Sequence, residues 1–192
     1  MMDSSYLTNP LVFLVQVVFG LYLLIVLLRF LLQLVRADFY NPISQFIVKA
    51  TAPVLKPFRS FIPGYGGLDL STLVLAWVVK FLELVLISVI TGKTMLLYPA
   101  LLAIPEILAL VINIFLFSIL ITVIISWISP GGYNPAIGLL YSLTDPVLKP
   151  ARKILPDMGG LDLSPMIAMI LLVLLEMLLI PPLVHLAKTL SF

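Results

Sequence analysis

Hydrophobic residues fall along the chain in four long runs, and the polar residues gather between them. The runs cover roughly residues 10–35, 71–90, 107–128 and 165–186, and a helix needs about 20 residues to cross a bilayer core. Polarity does not alternate within the runs, which excludes the strands of a membrane barrel. Because only helices or closed barrels satisfy the backbone in lipid, the pattern predicts an all-α membrane protein with four transmembrane helices.

A shorter apolar stretch precedes the third run. It covers residues 94–104, with Pro99 near its middle and Pro105 just beyond it, and it is too short to cross a bilayer alone. We expect an interfacial or re-entrant segment that leads into the third span.

The segments after the first and third runs are amphipathic. Ile43, Phe46, Ile47 and Ala50 recur at helical spacing with polar residues between them, and residues 137–141 repeat the pattern. Such a segment is typical of a helix that lies in the membrane interface. The prolines that follow, above all Pro57 and its equivalent in the second segment, predict that each helix is short and that each connector bends.

These connectors contain the same sequence twice. Pro-Val-Leu-Lys-Pro occupies 53–57 and 146–150, and Gly-Gly-Leu-Asp-Leu-Ser occupies 66–71 and 159–164, with a constant offset of 93 residues. An internal repeat of this kind determines architecture.

The chain is therefore predicted to be two tandem parallel helical hairpins, residues 1–93 and 94–192, each with an interfacial amphipathic connector. Basic residues concentrate in the connectors, which predicts that both face the cytoplasm and that both termini lie outside. The connectors carry Arg36, Lys49, Lys56, Arg59, Lys149, Arg152 and Lys153, whereas the middle loop has Lys93.

Composition agrees with a membrane protein and narrows the function. Hydrophobic residues make up 62% of the chain and charged residues 10%, against about 25% charged in soluble domains. A net charge of +2 gives no nucleic-acid footprint. Cysteine is absent, His185 is the one histidine, and no catalytic or nucleotide motif occurs. We expect no enzyme activity, no cofactor and no metal site.

The Gly-Gly and Asp-x-Ser parts of the repeat suit a turn followed by a helix start. Glycine permits the turn, and serine caps a helix N-terminus. The aspartates either complement the helix start or hold a basic residue of the same connector, and we favour the first. The residues assigned to this turn and cap are Gly66, Gly67, Asp69, Ser71, Gly159, Gly160, Asp162 and Ser164.

Four ionisable residues lie inside the apolar runs: Arg29, Lys80, Glu83 and Glu176. Charges in the bilayer are costly and often functional, and the two glutamates share the offset of 93 residues, so they could form a cation or proton site at one depth. Alternatively, Glu83 pairs with Lys80 and Glu176 hydrogen-bonds across the bundle, which would stabilise packing only. Arg29 is expected to snorkel to the basic side.

The repeated basic residues Lys56, Arg59, Lys149 and Arg152 lie at the predicted headgroup level. Their default role is contact with anionic lipid headgroups; the alternative is a docking face for a membrane or cytoplasmic protein. Expected partners are therefore the lipid bilayer, such a protein, and further copies of the chain.

The paired Thr-x-Pro-Val-Leu-Lys-Pro-x-Arg and Gly-Gly-Leu-Asp-Leu-Ser blocks resemble the YggT family, also called YlmG, over nearly the whole chain. That family typically carries an Arg and a Ser-Trp pair before the connector; Arg29 matches in the first half and Ser126-Trp127 in the second, which suggests specialised halves. The resemblance implies a bacterial plasma (inner) membrane protein that supports osmotic stress tolerance or ion homeostasis. It equally allows a scaffold or assembly factor for lipids, division or cytochrome-complex partners.

Overall fold

The computed structural model describes residues 5–64, 67–93, 96–128, 134–154 and 162–191. The regular structure in these ranges is helical, as predicted, and four of the helices are long and apolar enough to span a membrane. The helices are α1 (Ser5–Leu34), α2 (Pro42–Phe61), α3 (Leu70–Ile90), α4 (Leu97–Ile128), α5 (Pro135–Ile154) and α6 (Ser164–Leu190).

Each half of the chain is a hairpin of two spanning helices with an amphipathic helix across its connector. In the first half α1 packs along α3 and α2 touches both; in the second half α4 packs along α6 and α5 touches both. The halves meet where α3 packs against α4 and where α5 contacts α1 and α2. The two amphipathic helices therefore lie at the same end of the bundle, which confirms the tandem parallel arrangement.

The main apolar core lies in the first half and at the junction of the halves. Leu23, Val26 and Leu27 of α1 pack against Leu75 of α3 and Ile114 of α4, and all five side chains are buried. Most other apolar residues of the spans are at least partly exposed, and those of α6 the most, as expected for surfaces that face lipid.

The amphipathic helices are longer than predicted, because both continue through their prolines. Pro53 and Pro57 lie inside α2, and Pro146 and Pro150 lie inside α5, so the expectation of a short helix was wrong. A proline removes the hydrogen bond to the carbonyl four residues earlier. All four rings lie on the exposed face of their helix, where water or lipid headgroups can satisfy the freed carbonyls, so the helix persists.

The segment before the third span is also different from the prediction. Residues 97–104 are the first turns of α4 and continue into the span without a break, so they do not form a separate re-entrant segment. Pro99 lies in the first turn, where a proline costs little. Pro105 lies inside the helix and is buried, and the helix continues past it.

Candidate functional site

Three acidic residues, one lysine and one asparagine meet in the membrane-spanning part of the bundle. We call Lys80, Glu83, Glu106, Asn113 and Glu176 the intramembrane cluster. Lys80 Nζ lies 3.0 Å from Glu83 Oε1 and 3.6 Å from Glu106 Oε2. Lys80 and Glu83 are three residues apart and so share a face of α3, while Glu106 approaches from α4.

Glu83 is the most deeply placed member of the cluster. Its side chain is 4% exposed, and its Oε2 atom is buried without a hydrogen-bond partner. It lines a groove of about 610 Å³ between α1, α3 and α4, which also contains Gln16, Glu106 and Asn113. Within this groove one lysine faces two glutamates, so the ionised groups carry an excess negative charge that a proton or a cation would neutralise.

Glu176 joins the cluster from α6. Asn113 Nδ2 donates to the carbonyl of Ala109 at 2.9 Å and lies 3.5 Å from Glu176 Oε1. Since Asn113 also lines the groove, it lies between the groove and Glu176. Glu83 and Glu176 thus have separate polar partners, which is the arrangement of the packing alternative; the cation or proton alternative depends on what the unpaired Glu83 oxygen binds.

Sequence reasoning missed Glu106 and Asn113 as partners of these glutamates. Glu106 follows Pro105 directly and lies just outside the apolar run predicted for the third span, so it was assigned to no span. Helix α4 begins ten residues before the apolar run, and this earlier start places Glu106 inside the spanning helix.

Arg29 is not part of the intramembrane cluster. Its guanidinium is buried and donates to the Thr51 hydroxyl and, at 3.2 Å, to the Val48 carbonyl. Both acceptors belong to α2, so Arg29 holds the amphipathic helix against the end of α1. The guanidinium extends toward the basic side, as expected, but α2 covers it and supplies its acceptors, so it does not reach the surface.

The repeated arginines and aspartates form ion pairs in both halves. Arg59, in the last turn of α2, pairs with Asp69 at the start of α3, and Arg152 Nε lies 3.1 Å from Asp162 Oδ2 at the start of α6. Asp69 also caps α3 by accepting from the Thr72 amide at 3.3 Å. The two roles considered for these aspartates, helix start and partner for a basic residue, are therefore filled by the same carboxylate.

These contacts alter the acidity of both carboxyls. Burial by itself raises the pKa of Asp69, but the hydrogen bonds from Arg59 and Thr72 outweigh it and lower that pKa below its ordinary value. Burial also raises the pKa of Asp162, but the hydrogen bonds from Ser164 and Arg152 outweigh this effect and lower that pKa below its ordinary value. Both aspartates are held in their charged form.

The serines do not cap their helices as predicted. The Ser71 hydroxyl donates to the Ile62 carbonyl at 2.8 Å, which ties the end of α2 to α3, while Asp69 takes the capping position. Ser164 donates its amide and hydroxyl to Asp162. Ser71 is the second residue of α3 and Ser164 the first of α6, so each lies just past the capping position.

The turn between α2 and α3 uses glycine as predicted at Gly67, whose φ of +85° favours a residue without Cβ. Gly66, Gly159 and Gly160 lie outside the described residues.

Three of the four basic residues predicted to face lipid are paired within the chain. Lys149 Nζ lies 2.9 Å from Asp145 Oδ2, and Arg152 Nη1 lies 3.7 Å from Asp145 Oδ1 in addition to its pair with Asp162. Ala52 stands at the position equivalent to Asp145, so Lys56, which is exposed, has no carboxylate at that place.

The two amphipathic helices are joined by an asparagine that sequence reasoning overlooked. Asn41 accepts from the Ile43 amide at 2.9 Å as the cap of α2, and its Nδ2 donates to the Pro135 carbonyl at the start of α5, at 2.7 Å. Asn134 accepts from the Ala136 amide at 2.9 Å. The Asn-Pro pair repeats with the same offset of 93 residues, which is the signal that could have predicted both caps. We call α2 and α5 together the collar.

Comparison with known proteins finds one family twice in the chain, once in each half. The family model described as CCB3/YggT matches the chain twice, over residues 8–90 and 101–183. An uncharacterised protein of Pseudomonas aeruginosa is 47% identical over 177 residues, covering 91% of this chain and 90% of that protein. The uncharacterised protein YggT of Escherichia coli is 39% identical over 170 residues, 88% of each chain. No solved structure matches.

Proposed function

We propose that this chain, which belongs to the CCB3/YggT family, is a non-enzymatic multi-pass protein of the bacterial plasma membrane that supports osmotic stress tolerance or ion homeostasis. In this proposal the intramembrane cluster is the site where a proton or a monovalent cation binds.

The observation that carries the proposal is the unpaired oxygen of Glu83. A buried carboxylate oxygen without a donor is costly, and ionisable groups within membrane spans commonly mark ion or proton pathways. Lys80 neutralises one charge of the groove and leaves the other, so a bound proton or cation would complete the site. Gln16 and Asn113 add polar side chains beside it.

The direct test measures ion flux in liposomes that contain the purified protein. Under a potassium, sodium or proton gradient, the native protein should move at least one of these ions, and Glu83→Gln should reduce its flux by about tenfold or more. Glu83→Gln keeps the size of the side chain and removes its charge. Asp38→Asn, which neutralises an exposed carboxylate outside the cluster, is the matched control and should leave the flux unchanged. Absence of flux under all three gradients would overturn conduction.

The cellular test uses growth at high salt. The double variant Glu83→Gln/Glu176→Gln should fail to support growth that the native protein supports, at equal membrane abundance by immunoblot. Neutralising Lys56 and Lys149, the two basic residues outside the Arg–Asp pairs, should leave growth intact under this proposal. The opposite pattern would favour the scaffold function instead.

A specific observation favours that second candidate. The collar is continuous through the contact between Asn41 and Pro135, and it presents exposed aromatic rings at Tyr40, Phe46 and Phe61. A rigid, two-helix amphipathic surface of this kind suits a scaffold that organises lipids or a partner protein. Pull-down of the same membrane protein by the native chain, lost on substitution of Phe46 and Phe61 by Ser, would support it.

The orientation that goes with the proposal places the collar in the cytoplasm and both termini outside. Because the native chain has no cysteine, single cysteines can report the side of each loop. In intact cells an impermeant maleimide should label Thr91→Cys and leave Ser60→Cys unlabelled until the membrane is opened. Labelling in the reverse order would invert the topology.

A further inference from the structure

The second half of the chain contains a pocket at the level of the collar. It has a volume of about 660 Å³ and lies between α4, α5 and α6. Its floor is apolar and fully buried at Ile119 and Leu148, whereas Trp127 at its rim is 81% exposed. We call it the second-repeat pocket. Its lining includes Thr122, Ser126, Trp127, Arg152, Asp162 and Met166.

The internal repeat shows how this pocket differs from its smaller counterpart of about 470 Å³ beside Arg59 and Asp69 in the first half. Position 29 of the first half corresponds to position 122 of the second, so the buried Arg29 is replaced by Thr122. Arg29 reaches across to α2 through its hydrogen bonds to Thr51 and Val48. Thr122 instead donates to the Ser118 carbonyl of its own helix, and Thr144, the equivalent of Thr51, donates to Leu140 of its own helix. The volume of a guanidinium and its side chain is therefore missing between α4 and α5.

The aspartates of the two halves show the same difference. The Asp69 side chain is 6% exposed, whereas that of Asp162 is 49% exposed. Both make the same ion pair with the arginine ten residues earlier, and that arginine is half-exposed in each half. The carboxylate is therefore covered in the first half and accessible in the second. Met166 is likewise exposed on α6.

The charges around the pocket balance. Arg152 and Lys149 face Asp162 and Asp145, so this group of four side chains has no net charge. In the first half alanine replaces Asp145, and the corresponding group is positive. A balanced group of exposed cations and anions suits a ligand that itself carries both charges, whereas an anionic ligand would suit an uncompensated cluster better.

We propose that the second-repeat pocket binds one zwitterionic phospholipid with a primary ammonium headgroup. The phosphate meets the Arg152 guanidinium, which has further N–H donors beside the two that are paired. The ammonium meets the Asp162 carboxylate, whose oxygens can accept an additional donor. Trp127 packs against the glycerol region, as indole rings do at this depth.

The depth of the pocket agrees with this occupant. Arg152 and Asp162 lie at the level where the spans begin, and the floor continues past Met166 and Met169 into the apolar part of the bundle. Met169 is five residues beyond the start of α6, or about 7.5 Å at 1.5 Å per residue. A polar mouth above an apolar floor thus runs in the direction of a phospholipid headgroup and its acyl chain.

The test uses quenching of Trp127 by brominated lipids. The chain has two tryptophans, so Trp77→Phe leaves Trp127 as the reporter. In vesicles that mix phosphatidylethanolamine and phosphatidylglycerol, with one of them brominated at a time, the ethanolamine lipid should quench Trp127 with an apparent affinity at least about fivefold higher than the glycerol lipid. Equal quenching by the two lipids, or stronger quenching by phosphatidylglycerol, overturns the proposal.

Two variants separate a bound lipid from the general lipid that surrounds any span. Thr122→Arg places in the second half the side chain that fills the first half, and it should abolish the preference, whereas Thr122→Ser should retain it. If Thr122→Arg does not fold, as judged by size exclusion and circular dichroism, Ser126→Phe at the exposed rim decides in its place. A preference that persists in the folded blocking variant overturns the proposal.

A third variant tests the charge argument. Asp145→Ala gives the second half the charge of the first and should shift the preference toward phosphatidylglycerol. An unchanged preference in this variant would show that charge balance does not select the lipid and would overturn that part of the proposal.

Discussion

The guanidinium of Arg59 is ion-paired with the carboxylate of Asp69, and the pair joins the end of the amphipathic helix α2 to the start of the spanning helix α3. The same pair recurs between Arg152 and Asp162. In each half the pair therefore links the amphipathic helix to the span that follows it.

Removal of the buried aspartate should therefore destabilise the fold more than removal of its exposed equivalent. Asp69→Ala loses a helix cap, worth about 1 kcal/mol, and a charged hydrogen bond, worth about 1.5–3 kcal/mol. Asp162→Ala loses contacts that are half-exposed and should reduce the free energy of unfolding by about 1 kcal/mol or less. Thermal unfolding of both variants in the same detergent measures the difference; equal shifts in Tm would contradict it.

The lowered pKa values of these aspartates predict loss of stability in acid. A carboxyl whose pKa is lower in the folded than in the unfolded state adds stability above its unfolded pKa, about 3.9 for Asp, and loses it as the pH falls toward the folded pKa. When unfolding is measured from pH 7 downward, Tm should begin to decrease once the pH is below about 5. Asp69→Asn should flatten this dependence. A parallel curve for the variant would show that other groups control the acid response.

The pair of Lys80 and Glu83 predicts strong non-additivity. Lys80→Met leaves the buried Glu83 without its 3.0 Å partner, and breaking a buried pair on one side costs about 3–5 kcal/mol. The double variant Lys80→Met/Glu83→Leu removes both charges and should recover most of that loss. Denaturation in detergent gives the coupling energy of the double-mutant cycle. Additive effects would mean that water or a bound ion already compensates Glu83.

The contact of Arg29 with α2 predicts a difference between equivalent threonines. Thr51→Val removes an acceptor from a buried guanidinium, whereas Thr144→Val removes only a hydrogen bond within its own helix. We expect Thr51→Val to lower the free energy of unfolding by about 1–3 kcal/mol more than Thr144→Val. The two variants change the same atoms, so each is the control for the other.

The C-terminus of α1 offers a stabilising substitution. Arg36 has a φ of +54°, and the Ala37 amide donates to the Leu32 carbonyl at 2.9 Å, a helix ending that normally uses glycine. Arg36→Gly removes the strain of a Cβ in this region and should raise stability by about 1 kcal/mol. Arg36→Ala keeps the Cβ and should not. A gain in both variants would instead point to the loss of the arginine charge.

Much of the architecture follows from local sequence alone. The length of the apolar runs determined the four spans, because the bilayer sets the length of a helix that must satisfy its own backbone. The offset of 93 residues determined the two halves, since equivalent residues of a repeat occupy equivalent places. Helix caps were partly visible in the same way, although the capping residue was Asp69 and not Ser71.

Contacts between distant segments could not be predicted from local sequence or from the repeat. Arg29 is covered because α2 packs on α1. Glu106 approaches Lys80, and Asn113 reaches Glu176, because of the way α4 packs against α3 and α6. No local pattern encodes either packing register. The prolines of α2 and α5 are a further example. Each proline removes one backbone hydrogen bond wherever it lies, but whether the helix continues depends on which face of the helix the proline occupies. Local energies follow from residue type, whereas burial and pairing arise only when the helices pack. Tertiary structure therefore decided which charged side chains meet. It also decided which of the two repeated aspartates remains exposed.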